Sequence, residues 1–462
     1  MDTLIAHYRE AVNQRPLNSF QLRMLVLCTI LLITDGFDAQ AIAFVAPVLT
    51  KEWSSAVGAF GQVFSAGMFG LMLGALSFSL LADRYGHKRV LMICIMWYSC
   101  ATLATVFVTS LTELTLLRFV TGVGLGGAMP IVICLVSDSA PDRLRSWLIT
   151  IAICGFSLGG VLGGFTSTPL IATFGWKIVF VLGGVLPLLL LPLMIKMLPE
   201  SLPYLLRTSK PLSRIEHEIG RVVPGYKVLQ ADISTNQVSS GEKGRPLLVE
   251  LFSNGFAFST LLIWVACFMN LVAMYFLLNW LPTVINNAGL TLHQSSVITG
   301  LFSTGGILGA LILSLLTDRI DTRRVLFLTF FGAAVCVALL GQVRELALLM
   351  GSSFAAGFFV IGGQIALNAF VGRYYPARVR ATGVGWALGI GRVGGIIGPI
   401  LGSVFLTLAL PTATLFLLAA LPPAVAAVAI VFVRTKQLDA VDDTLKHQHE
   451  RNHTGARSIT RS

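Results

Sequence analysis

Charge is what this sequence has least of. Asp, Glu, Lys and Arg make up 12% of its 462 residues, against roughly 25% in soluble globular proteins. So few charges cannot cover a water-facing surface of that size, which excludes a soluble multidomain fold. With 55% of residues hydrophobic, intrinsic disorder is excluded as well. Ligand spacing is missing too. The seven cysteines (Cys28, Cys94, Cys100, Cys134, Cys154, Cys267 and Cys336) all sit inside apolar runs, none at a metal-binding interval. They read as small hydrophobes in a packed core. The first twenty residues are polar, carry Arg9, Arg15 and Pro16, and do not read as a cleavable signal sequence. A phosphate-binding glycine loop, a zinc motif and a nucleophile elbow are all absent from the sequence. Neither enzyme activity, nor a cofactor, nor a metal is therefore expected.

What is present is apolar length. Twelve runs are each long enough to cross a bilayer, which takes about 20 mostly apolar residues: 22–48, 57–82, 89–109, 112–137, 146–170, 175–197, 255–281, 295–317, 325–342, 345–371, 381–408 and 411–433. Backbone facing lipid must satisfy its own hydrogen bonds, so the runs are expected to be helices. They lack the ten-residue alternation of an outer-membrane barrel. The 45 glycines and 29 phenylalanines suit close helix packing.

The scarce charges are strongly sorted. Of 33 Lys and Arg residues, 28 fall in the termini, the long 196–250 segment and alternate short loops; Lys51, Lys177 and Arg344 lie on the other side, and Arg118 and Arg392 lie within the runs. This asymmetry predicts cytoplasmic termini. It also explains the net charge of +11 without nucleic acid, and the bilayer is the expected partner surface.

The two halves repeat at an offset of 235: Gly70 and Gly74 match Gly305 and Gly309, Asp83-Arg84 matches Asp318-Arg319, Pro141, Arg143 and Arg145 match Pro376, Arg378 and Arg380, and Gly159, Gly160 and Gly163 match Gly394, Gly395 and Gly398. The predicted architecture is an all-α membrane protein of twelve helices in two six-helix bundles. The bundles span 1–197 and 251–433, joined by a cytoplasmic linker at 198–250 and followed by a tail at 434–462. Parallel repeats of this kind form transporters that rock around a mid-membrane site. A receptor would be expected to bring a signalling domain, and neither linker nor tail contains one.

Ionisable groups deep in a membrane are costly and mark function. Asp35 and Asp38 fall mid-span at i,i+3, on one helix face. Arg118 lies within reach of Asp38, and Arg392 lies mid-span in the other half. One reading is a proton site at Asp35, Asp38 and Arg118, with Arg392 as a fork for a substrate carboxylate. The alternative for Asp38 and Arg118 is a static buried pair. Gln364 and Asn368, one turn apart, would bond either a ring hydroxyl or a neighbouring helix. Tyr275, Asn279 and Trp280 would line the cavity or sit in the interfacial aromatic belt, and Trp280 is expected in the belt. His87 is expected to be solvated, and Asp138 to face Arg143 and Arg145.

Ala82-Asp83-Arg84-Tyr85-Gly86-His87-Lys88-Arg89 resembles the 2–3 loop signature of the major facilitator superfamily, with Ser79 in place of its first glycine. Asp35-Gly36-Phe37-Asp38, Arg118 with the glycine-rich run Gly122 to Pro130, and the stretch Gly357 to Gly398 look like the aromatic acid:proton symporters of that superfamily. Gly155 to Gly164 is similar to an antiporter signature, but Gly160 replaces its proline, which weighs against drug efflux. The resemblance implies a monomeric inner-membrane symporter that imports a small aromatic carboxylate with protons, an exporter or uniporter being the alternative. It also implies a gating latch of Asp83, Arg84, Arg89, Asp138, Asp318 and Arg380.

Overall fold

The computed structural model describes residues 2–207, 212–223, 257–375 and 380–433, apart from some side chains within them. Twelve helices among the described residues are long and apolar enough to span a membrane. In chain order they are α2 (Ser19–Glu52), α3 (Phe60–Tyr85), α4 (His87–Ala104), α5 (Leu111–Ser139), α6 (Asp142–Phe174), α7 (Lys177–Met197), α10 (Ala257–Asn287), α11 (Leu292–Arg319), α12 (Thr322–Leu340), α13 (Leu346–Tyr374), α14 (Arg380–Thr407) and α15 (Thr412–Val431). Among the described residues three further α-helices lie outside the spans: α1 (Asp2–Asn13), α8 (Leu202–Arg207) and α9 (Leu212–Val222).

Local chemistry sets the helix ends. Asn18 opens α2 with a reciprocal capping box to Gln21, and Thr291 does the same for α11 with Gln294, each pair satisfying two orphan amides. The chain reverses between α3 and α4 at Gly86, whose φ of 102° lies in the region open to glycine. Several helices outrun their hydropathy limits. The first span, read from apolar residues as 22–48, extends over the 34 residues of Ser19–Glu52, because polar ends that leave the bilayer keep their helical bonds.

Helix pairing follows the repeat. α3 packs on α5 as α11 packs on α13, α2 on α6 as α10 on α14, and α4 on α7 as α12 on α15. The repeated glycines sit at these seams. A Cβ on Gly74 would collide with the Val123 backbone, and one on Gly309 with the Phe358 backbone, so each pair approaches at backbone distance.

The first six spans meet the last six along α6–α11, α3–α14 and α2–α10. Thr168 Oγ1 donates to Leu292 O at 3.4 Å, Ser65 Oγ to Ile396 O at 3.0 Å, and Ser403 Oγ to Gly58 O. Phe64 stands edge-on to Trp280, centroids 5.0 Å apart. These contacts lie toward the end of the molecule with few charges, opposite the basic loops.

Trp280 corrects an expectation. It is fully buried and donates to Pro399 O at 2.9 Å, so it belongs to the packed interior and not to an interfacial belt. The indole found both a carbonyl and a ring partner, which the lipid headgroup region would otherwise have supplied. The cysteines are free, and Cys100 and Cys134 are exposed, not packed in a core.

The polar N-terminal arm and the start of the linker also fold. Tyr8 and Val12 of α1 bury against Leu202, Leu205, Ile215 and Ile219 of α8 and α9. Arg221 donates to the last carbonyls of α7, Lys196 O at 3.1 Å and Met197 O at 2.8 Å, where a cation also suits the helix dipole. Its guanidinium stacks over Phe20, 4.6 Å from the ring centroid.

Candidate functional site

Asp35 and Asp38 project from the middle of α2 toward α4, and both are buried, 2% and 0% exposed. α4 meets them with a ladder of hydroxyls. Tyr98 donates to Asp35 Oδ1 at 2.6 Å, and Thr102 donates to Asp38 Oδ2 at 2.9 Å. Arg118 of α5 approaches the same carboxylate, Nη1 to Asp38 Oδ1 at 3.5 Å, and its Nη2 donates to Thr105 Oγ1 at 3.1 Å. The face of the guanidinium lies over Phe180, 4.9 Å from its centroid. Tyr98, Thr102 and Thr105 recur at i, i+4 and i+7, one helical stripe. That spacing was the available signal for these three residues, obscured by an otherwise apolar span.

The two carboxylates differ in their supply of donors. Asp38 has Thr102 and Arg118, while Asp35 has Tyr98 on one oxygen and nothing on Oδ2.

Arg392 sits mid-way along α14. Its Nη1 donates across the halves to Leu71 O of α3 at 3.3 Å. Tyr275 packs where Gly395 leaves room; a Cβ there would stand 2.8 Å from the ring. Gln364 is drawn into an interhelical chain: Asn270 Nδ2 donates to Gln364 Oε1 at 2.9 Å, and Gln364 Nε2 donates to Asn368 Oδ1 at 3.0 Å. Asn270, fully buried on α10, was missed in the sequence because a lone amide in an apolar run carries no pattern.

Where the first half faces α10 lies a narrow cleft of about 50 Å³, its walls including Val63, Phe64 and Leu71 of α3, Arg118 and Thr121 of α5, and, from the second half, Asn279 of α10. Arg118 therefore touches both the buried acids and the cleft.

The gating candidates cluster at the basic end. Asp83 is 63% exposed and stands 3.8 Å from His87 Nε2, and His87 is only 12% exposed rather than solvated. Arg84 lies over the Tyr85 ring at 5.5 Å, and Arg89 is exposed. Asp138 does not pair with Arg143 or Arg145. It accepts from Ser201 Oγ at 2.7 Å, while Arg145 bonds Asp142 at 2.5 Å and Arg143 reaches Arg15 O at 3.0 Å. Arg145 found a nearer partner in Asp142 of its own first turn, and Arg143 turns instead to the backbone that follows α1. Glu200, which belongs to no motif, accepts the Lys88 amide at 3.0 Å at the start of α4. The side chains of Asp318 and Arg380 lie outside the described residues.

A family profile described as Major Facilitator Superfamily matches residues 28–292 and 263–455. The chain belongs to the major facilitator superfamily. Within this superfamily it is similar to a gallate transporter of Pseudomonas putida, 40% identical with 92% of this chain and 94% of the relative covered. It is also similar to the 4-hydroxybenzoate transporter PcaK of Pseudomonas aeruginosa, at 38% identity with 91% and 94% covered. Among solved structures, the xylose transporter XylE from E. coli matches with a TM-score of 0.68 at 14% identity, covering 90% of this chain and 98% of that one. The twelve-helix fold is thus the major facilitator fold. The protein is a multi-pass inner-membrane transporter and not an enzyme.

Proposed function

We propose that the protein is a proton-coupled symporter that imports an aromatic carboxylate of the hydroxybenzoate kind by alternating access. The observation that carries the reading is a cleft between the halves with a buried pair of acids behind one wall and Arg392 reaching across to the other. The names of two relatives, a gallate and a 4-hydroxybenzoate transporter, supply the substrate class.

Asp35 and Asp38, with Arg118, exchange the proton in this scheme, and Arg392 holds the carboxylate. Tyr275, Gln364 and Asn368 shape the second half of the site. The halves 1–197 and 251–433 move as two bodies, and one chain suffices. Basic loops at the end bearing the termini support a cytoplasmic assignment for that end, so a molecule joined at the opposite end is closed to the outside.

The test is uptake of labelled benzoate and 4-hydroxybenzoate by cells expressing the protein, with and without a protonophore. Accumulation that collapses with the proton gradient is the expected result. Accumulation indifferent to the gradient overturns symport in favour of a uniporter, and net extrusion favours an exporter.

In this scheme Asp83 belongs to the switch and not to binding; its position at the basic end of α3 and its large exposure support that reading. Asp83→Asn is expected to slow turnover several-fold with substrate affinity near wild type. A large loss of affinity at normal turnover would place it in the site instead.

A further inference from the structure

The basic end of the second half contains an open groove. Arg323, Arg324, Phe327 and Leu328 of α12 form one wall and Val431 of α15 the other, around about 370 Å³ of space. That is room for roughly a dozen waters at about 30 Å³ each, enough for a phosphodiester group. α12 and α15 pack on each other and on α13 and α10, outside the seams that join the halves.

The α12 wall grades from charged to apolar. Arg324, Phe327, Leu328, Phe331 and Val335 recur at i, i+3, i+4, i+7 and i+11, one face of the helix. Leu328 is 62% and Phe331 54% exposed, and the Phe327 and Phe331 rings stack with centroids 6.0 Å apart. From Arg324 to Phe331 the stripe runs about 10 Å at the helical rise. Exposed apolar side chains on a spanning helix outside those seams meet lipid, and the arginines stand at the head of the stripe, where the helix begins.

Donors remain at that head. Arg323 uses one nitrogen on the end of α15, Nη1 donating to Val433 O at 3.2 Å. Arg324 Nε stands 3.6 Å from Asp321 Oδ2 in a pair 81% and 39% exposed, a contact that water weakens. Asp321 also accepts the Arg323 amide at 3.1 Å, so its carboxylate is engaged in starting α12. Two guanidiniums against this one carboxylate leave a net positive charge, and each guanidinium has five N–H donors.

The matching end of the first half is built differently. At the offset of 235, Arg323 and Val433 correspond to Lys88 and Leu198. There Glu200 accepts the Lys88 amide, and Arg221 of α9 donates to Leu198 O at 3.4 Å, so the linker covers the position. In the second half Arg323 takes the matching carbonyl itself, and both arginines line the open groove.

We propose that the groove between α12 and α15 binds an anionic phospholipid. Its phosphodiester lies between the two guanidiniums, whose forks suit phosphate oxygens, and one acyl chain runs down Phe327, Leu328 and Phe331. The net positive charge favours a headgroup of net negative charge over a zwitterionic one, whose ammonium it repels. Basic pockets between spanning helices take such headgroups. Bound lipid fastens the basic end of α12 to α15 and tightens the second half as a body.

The experiment titrates phosphatidylglycerol into the detergent-solubilised full chain and reads the lipid concentration that gives half of the rise in Tm. Phosphatidylcholine with the same acyl chains and inorganic phosphate are run alongside. Phosphatidylglycerol is expected to stabilise wild type at lower concentration than phosphatidylcholine does, and phosphate at matched concentration is expected to have no effect. Arg324→Gln, at a largely exposed position, is expected to raise the half-point about fivefold, and Arg323→Gln/Arg324→Gln about twenty-five-fold. Arg344→Gln, which removes a cation beyond the other end of α12, is expected to leave it unchanged. Should the double variant fail to fold, the Arg324→Gln result decides. Equal half-points for the two lipids in wild type, or an unchanged half-point in the Arg323 and Arg324 variants, overturn the site. Phosphate that stabilises as well as the lipid makes it a free-anion site instead. A preference for phosphatidylglycerol that emerges only once residues 434–462 are removed assigns the groove to the chain's own tail and overturns the proposal equally.

Discussion

Asparagine at Asp35 is expected to abolish proton-driven accumulation while leaving the protein folded. The only hydrogen bond to the Asp35 side chain among the described residues comes from Tyr98, and an amide oxygen accepts that bond as well as a carboxylate does. What the amide cannot do is take up and release a proton. Asp38→Asn is expected to abolish accumulation too, but with a second consequence. It leaves Arg118 without its counter-charge at a position where the pair is 4% and 0% exposed, and removing one partner of such a pair costs about 3–5 kcal/mol. Thermal unfolding of the purified protein should therefore separate the two variants. Adding Arg118→Gln to Asp38→Asn removes the orphaned cation and is expected to restore stability without restoring accumulation. Counterflow of labelled substrate, which needs no gradient, should survive in Asp35→Asn. If the Asp35→Asn/Asp38→Asn double variant still concentrates substrate and still responds to a protonophore, the proton is carried elsewhere.

Arg392→Ala is expected to weaken substrate binding about ten- to a hundredfold, the loss of a charge-assisted hydrogen bond of roughly 1.5–3 kcal/mol. Arg392→Lys should fall between alanine and wild type, since lysine keeps the charge and loses the planar fork. The spans of the second half contain no Asp or Glu at this depth, so the guanidinium has a backbone carbonyl as its partner, Leu71 O at 3.3 Å. A neutral acceptor leaves the positive charge available to an incoming anion. The decisive comparison uses the amide analogue of the substrate. It should bind wild type poorly and change little in Arg392→Ala. Equal losses for acid and amide would make Arg392 a packing residue. The clamp would then pass to Arg118, whose Nε has no partner and which lines the cleft.

The spans, the repeat and the four deep charges could be read from the sequence because each departs from a simple background. An Asp in an apolar run, or a charged loop motif recurring at one offset, stands out sharply against it. The reach of Arg118 to Asp38 followed from their depths. The residues that complete the site gave no such contrast. Tyr98, Thr102, Thr105 and Thr121 are semi-polar side chains that membrane helices use freely, and their relevance depends on which neighbour each one faces. Trp280 failed for a related reason: its height along the helix was right for a headgroup, but the ring of Phe64 and the carbonyl of Pro399 lay on its side of the helix. Asp138 failed because sequence proximity to two arginines did not include Ser201, which arrives from the far end of α7.

The seam that joins the halves at the charge-poor end has a further consequence. Thr168, Ser65 and Ser403 all donate neutral hydroxyls to backbone carbonyls. Ionic strength screens charges and leaves such bonds almost untouched. Parting them exchanges each for water at a net cost of about 0.5–1.5 kcal/mol. The hydrogen-bonded part of this end's resistance to opening is therefore small and indifferent to salt. In the proposed orientation this seam faces the outside, so a bacterium shifted between fresh and brackish water would find it shut just as firmly.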